Sequence, residues 1–307
     1  MGLRSAITLA VLAVLAAGPA RSAILQVGPG QPFAKPSQAI AEARDGDTID
    51  IAPGRYYDCA VVRQNNLTIQ GAGPGAVMTE TTCMGKAILI TNGNNITLRN
   101  LTLQRARVPD ENGAGIRAQG GNLTIEGVKF LNNQDGILTT SNPKADITIV
   151  NSEFVHNGLC AQACAHGIYA GFIHALKVEH TRFFDTQQGH SIKSQALATA
   201  VIDCDIEDGP GGTSSYLIDV PHGGSLLVRG NKLEKGPKSG NHSVAISIGE
   251  GSVTQPTDSI VIEDNTFTND NAQPTIFVRN VTARPAELIN NKLNGQVRPL
   301  DGDGKVS

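Results

Sequence analysis

The chain has 307 residues, a formal net charge of −3 and a sequence pI near 6.2. That balance offers no basic field for nucleic acid, and the length suits one large domain or two small ones. Glycine is abundant at 34 residues, tryptophan is absent and charged residues make up only 17% of the chain, which favours a turn-rich β protein over a helical one.

Residues 1–22 read as an export signal. Arg4 supplies the positive start, Ala6 to Ala17 an apolar run, and Ala20-x-Ser22 a small-residue cleavage site. The run is short of the roughly 20 residues a membrane span needs, and no second one follows. Residues 23–307 are therefore expected as one exported domain, periplasmic or secreted, with no membrane partner. Export permits disulfides. Cys59 and Cys83 stand 24 residues apart, Cys160 and Cys164 bracket a short loop, and Cys204 is left over. The sequence His156-x3-Cys160-x3-Cys164-x-His166 has zinc-ligand chemistry, but an exported chain favours a disulfide there, so no metal and no cofactor are expected.

After a short strand at Ile24 to Gly30, a helix is predicted over 36–44, with Ser37 as its N-cap and Ile40 and Ala43 on one face. Thr48-Ile-Asp-Ile51 then alternates as a strand does. From there one pattern recurs: apolar–x–apolar–x–corner residue. It begins at 67, 96, 123, 147, 176, 199, 226, 260 and 286, with copies such as Leu67-Thr-Ile-Gln-Gly71 and Leu123-Thr-Ile-Glu-Gly127. Nine copies separated by 23 to 34 residues describe a solenoid of β coils, each burying its inward residues only by stacking on the next. Corner Asn side chains suit the turns. Four of the six Asn-x-Thr/Ser sequences belong to this pattern, so they read as corners rather than glycosylation sites. The stack is expected to end near residue 295, with the tail from Gln296 fraying or covering the open end.

The predicted helix before Gly46-Asp-Thr-Ile49 and the repeated Asn-Leu-Thr-Ile coils resemble the pectin-lyase-like family. The resemblance implies an all-β fold, a right-handed parallel β-helix, with the N-terminal helix plugging one end. It also implies action on an acidic polysaccharide, most often by β-elimination.

A second strand recurs within the coils, and its Ile residues place a set of polar successors. If Ile116, Ile137, Ile168, Ile192, Ile218 and Ile246 point inward, then Arg117, Leu138, Tyr169, Lys193, Asp219 and Ser247 form one outward column. Asp135, His166, His190 and Tyr216 fall at the corner before it, and His222 lies just past the Asp219 strand. All seven histidines lie between His156 and His242, so the titratable side chains are concentrated here. Elimination at a uronate needs its carboxylate neutralised, a base for the α-proton and an acid for the leaving oxygen. Lys193, His190 and Tyr169 are the candidates for catalysis: Lys193 or Arg117 to neutralise, His190 or Lys193 as base, Tyr169 as acid. Arg117, His166, Tyr216, Asp219 and His222 are candidates for binding substrate, Asp219 by orienting Lys193 or holding a cation. The paired carboxylates of a glycoside hydrolase are not evident, since Asp219 is flanked by Lys193 and Ser247. A carbohydrate-binding module without turnover and a structural cell-surface β-helix are the other classes the pattern allows. The expected partner is an acidic polysaccharide bound by a monomer.

Overall fold

The computed structural model describes residues 22–161 and 163–307, so the expected export signal lies, up to residue 21, outside the described residues. No helix among the described residues is long and apolar enough to cross a membrane.

The chain winds into a right-handed parallel β-solenoid of about eleven turns. Three parallel sheets of 12, 10 and 10 strands form its faces, each adding strands in chain order. The sequence repeat maps onto the first sheet, where Ile49, Ile69, Leu98, Ile125 and Ile149 lie in register and continue as Val178, Val201, Val228, Ile262 and Leu288. All ten are buried. Such ladders remove apolar side chains from water at every coil and tie neighbouring coils together.

The second sheet carries the aromatic ladder. Phe130, Phe154 and Phe183 are in register and stack with centroids 4.5 and 4.6 Å apart, a spacing that parallel strands impose. Their ring edges explain the glycines at the second position of two third-sheet strands, Ala114–Ala118 and Asp135–Thr139. A Cβ on Gly115 would stand 2.8 Å from Phe130, and one on Gly136 2.7 Å from Phe154.

The corners behave as the pattern predicts. Asn66 and Asn95 adopt positive φ, and the Asn95 and Asn122 amides donate to the carboxamide oxygens of Asn66 and Asn95 at 3.0 and 3.2 Å. A second ladder runs inward from the surface: Asn231 donates to Asn265 at 2.8 Å and Asn265 to Asn291 at 2.9 Å, with Asn231 and Asn265 buried and Asn291 half-buried. A buried amide is tolerated because each finds a partner on the next coil.

The helix spans Pro36–Glu42 and buries Ala39 and Ile40 against the first coils, closing that end. It starts two residues earlier than an N-cap at Ser37 predicted. Lys35 is the N-cap, Pro36 takes the first helical position, where a missing N–H costs nothing, and Gln38 accepts the Lys35 N–H at 3.1 Å. The tail also departs from expectation. Val297–Gly302 and Gly304–Val306 pair with the third and first sheets, so the coils continue past residue 295.

Both expected disulfides are present. Cys59–Cys83 joins adjacent coils, and Cys160–Cys164 closes a small hairpin, which removes its thiolates as metal ligands. Cys204 is free and buried, and burial pushes its thiol up to about 12, the form of an inert core residue.

Candidate functional site

The third sheet sets the site. Its register aligns Ile90, Arg117, Leu138, Tyr169, Lys193, Asp219, Ser247 and Arg279 at one outward position in successive coils. The Ile residues preceding the polar members are buried in the core. A slip of one residue would exchange the two sets and expose an Ile ladder, so the hydrophobic effect fixes the polar column.

At the start of these strands the corner residues form a ladder of their own. Asp135 Oδ1 accepts the His166 backbone N–H at 2.6 Å, His166 Nδ1 accepts that of His190 at 2.9 Å, and His190 Nδ1 accepts that of Tyr216 at 3.1 Å. The rings of His166, His190 and Tyr216 stack with centroids 4.7 and 5.0 Å apart. Each imidazole thus fills the place an Asn takes at other corners, accepting a backbone proton from the next coil. With Nδ1 engaged as acceptor, the ring proton of a neutral imidazole sits on Nε2. Burial, with nearby cations adding to it, pulls His190 down to about 3 and His166 well below its usual range, so both rings are neutral near pH 7.

Tyr169 and Lys193 are half-buried neighbours, with the ammonium 5.0 Å from the ring centroid. The Gln195 amide donates to the Tyr169 hydroxyl at 3.2 Å, and burial raises that phenol, keeping it protonated. Asp219 departs from the expected exposed face: it is 4% exposed, and its Oδ2 lies 3.5 Å from His190 Nε2. Burial pushes it up to about 6, with Lys193 the main opposing influence. Its Oδ1 has no hydrogen-bond partner among the described residues. His166 is 1% exposed and meets Tyr169 edge-on at 5.3 Å, so it supports the site from beneath rather than facing it. Tyr216 donates to Glu250 at 2.5 Å, which also takes bonds from Ser247 and Arg279. His222 lies at the opposite margin, bonded through Nδ1 to the Ser252 carbonyl at 2.7 Å and packed on Phe172.

Several of these partners carry no signal in the repeat. Glu250 and Ser252 come from the insertion before residue 260, whose path spacing alone does not encode. Lys235 belongs to the second sheet yet is wholly buried, and its Nζ donates to the Ser214 carbonyl at 3.2 Å while facing Asp208 at 3.7 Å. It thereby anchors the segment that presents Tyr216, and burial pulls its ammonium down to about 8. Asp135 shares the corner position with His166 and His190, and that alignment was the one available sign of its role.

Clefts of about 560 Å³ around Gly73, Asn100 and Lys129, and about 280 Å³ along Ala175, Ala198 and Ser225, lie away from this column. Neither gathers titratable groups, which are concentrated instead on the shallow strip of the third sheet.

Residues 86–240 match the family model described as the right handed beta helix region. Among solved structures, the chain is similar to an alginate lyase from Paenibacillus sp. str. FPU-7, with 18% identity and a TM-score of 0.60 over 90% of this chain and 99% of that one. It is also similar to a pectin methylesterase from Aspergillus niger, with 12% identity and a TM-score of 0.55 over 92% of each chain. At these identities the likeness is one of fold. None of the curated proteins matches this chain in sequence.

Proposed function

From the premise that this chain belongs to the right-handed β-helix family, whose matched region contains every residue from Arg117 to His222, we propose that it is a polysaccharide lyase. It would cleave a uronate-containing polysaccharide by β-elimination. The observation that carries this reading is the Tyr169–Lys193–Asp219 column with His190 against its middle. An amine, a phenol held protonated and a neutral imidazole N–H meet on a strip long enough for a polymer. The fold is shared with proteins named for alginate and pectin, which is consistent with that substrate class. Export to the periplasm or beyond is part of the reading, and the two disulfides support it.

The roles follow from the available protons. His190 presents Nε2–H, so it serves as a donor to the uronate carboxylate rather than as the base. The Lys193 amine, in its unprotonated form, removes the proton α to that carboxylate. The electron pair forms the ring double bond, the C–O bond to the leaving sugar breaks, and Tyr169 gives its phenolic proton to the departing oxygen. Asp219 orients His190 and Lys193. Carboxyl-containing polysaccharides, alginate and polygalacturonate among them, should therefore yield products with the ultraviolet absorbance of an unsaturated sugar end. New reducing ends without that absorbance would make the protein a hydrolase, and binding without new ends a carbohydrate-binding module.

Asp219 also predicts a conflict between function and stability. Its folded pKa, about 6, lies above the ordinary value of about 3.9. The group's contribution is therefore full below about pH 4 and lost as pH rises toward 6. Asp219→Asn keeps a neutral side chain throughout. At pH 8 it should be more stable than wild type by roughly 2 kcal/mol and less active, and the stability gain should vanish near pH 4. Denaturant unfolding at the two pH values measures this; an unchanged or lower stability at pH 8 would contradict a buried, ionised Asp219.

A further inference from the structure

Arg117 is a cation of the column left with nothing to hold. It is half-buried, it takes part in no ion pair among the described residues, and its Nε is buried without a partner. Asp135, the carboxyl that acts on it, is itself buried and bonded to the His166 backbone. The contrast with Arg107 is direct. That guanidinium is similarly desolvated, but it donates to the Ala106 and Asn132 carbonyls and to the Asn132 side chain. A half-buried guanidinium with an idle donor costs free energy unless an anion completes it.

Its position says which anion and where. Arg117 stands two coil steps from Tyr169 and three from Lys193 on the same column, with Leu138 between it and the Tyr169 ring. Beyond Arg117, away from the site, the next outward residue is Ile90, wholly buried in an apolar cluster with Ala87, Ala114 and Leu138. Cys83 packs on that cluster and is tied down by its bond to Cys59. The strip is therefore plugged at this end.

We propose that Arg117 is a chain-end subsite, binding the carboxylate of the terminal uronate of a polymer that lies along the coil axis and stops against the Ile90 plug. The inference rests on the lyase reading and deepens it by making cleavage proceed from a chain end. A pyranose unit is about as long as one coil step, about 4.8 Å, so the distance to the reacting groups corresponds to about two or three sugars.

The test pairs kinetics with direct binding. On a polyuronate that the wild type cleaves, short unsaturated fragments should accumulate from the first minutes while viscosity falls slowly. Arg117→Gln should raise KM about ten- to a hundredfold with kcat changed by no more than a few-fold, and should broaden the product lengths. Arg117→Lys, which keeps the charge without the planar fork, should fall between the two. Random long products from wild type, or unchanged KM and product lengths in Arg117→Gln, would overturn the proposal while leaving the lyase reading intact. If wild type cleaves no polyuronate, the lyase reading fails. Calorimetric titration with uronate trimers then decides the subsite: a ten- to a hundredfold weaker affinity in Arg117→Gln supports it, and equal affinity overturns it.

Discussion

Lys193→Ala and Tyr169→Phe should each lower turnover about 10²- to 10⁴-fold on the cleavable polyuronate, the range by which positioned acids and bases accelerate proton transfer. Both side chains are half-buried on the outer face and neither belongs to a core ladder, so the variants should unfold within about 0.5 kcal/mol of wild type. Tyr169→Phe is the sharper of the two. It keeps the ring under the Lys193 ammonium and the edge contact with His166 and removes only the hydroxyl that Gln195 meets. Substrate affinity should change little, because the phenol acts when the leaving oxygen gains charge rather than in the ground state. The double variant should be scarcely slower than the worse single one if the two groups serve one step. Full activity in either folded variant would remove these residues from the mechanism.

Phe154→Ala should cost about 4 kcal/mol of stability, the largest loss expected from a single core truncation here. Phe154 is 1% exposed and sandwiched between Phe130 and Phe183, so the change empties the middle of a three-ring stack and breaks both contacts. Relaxation cannot close the gap, since the coils on either side are fixed by parallel hydrogen-bonded strands on all three faces. The ring also abuts Gly136, two residues before Leu138 in the same strand, so the void lies behind one coil of the candidate site. Denaturant titration would show the fall. Because each coil of a solenoid contacts its neighbours alone, native-state hydrogen exchange should report the loosening chiefly in the coils around Phe154. A loss below about 1 kcal/mol would mean that the aromatic stack contributes little beyond filling space.

These expectations differ in how far the sequence alone supports them. The nine starting positions of the repeat are enough to give parallel coils, because in-register stacking places equivalent residues of successive copies one above another. Hence the alignment of Arg117, Tyr169, Lys193 and Asp219, the corner set of Asp135, His166, His190 and Tyr216, and the Cys59–Cys83 bond were all legible from spacing. Alternation then separated inward Ile from outward polar residues, because only one of the two registers buries the apolar set.

Tertiary structure decided what spacing does not encode. Burial is a sum over neighbours from several segments, so no local pattern marks Asp219 as covered or His166 as lying beneath the strip. Insertions between repeats keep no register, and the path of the one carrying Glu250 and Ser252 became visible only when folded against Tyr216 and His222. Lys235 reaches Ser214 from another face of the solenoid. The tautomer of His190, on which the proposed choice of base rests, depends on a backbone N–H one coil away. The unpaired state of Arg117 is likewise a property of its surroundings. The repeat determined which residues stand in line; the packing of the segments between repeats determined which of them meet solvent, partner or proton.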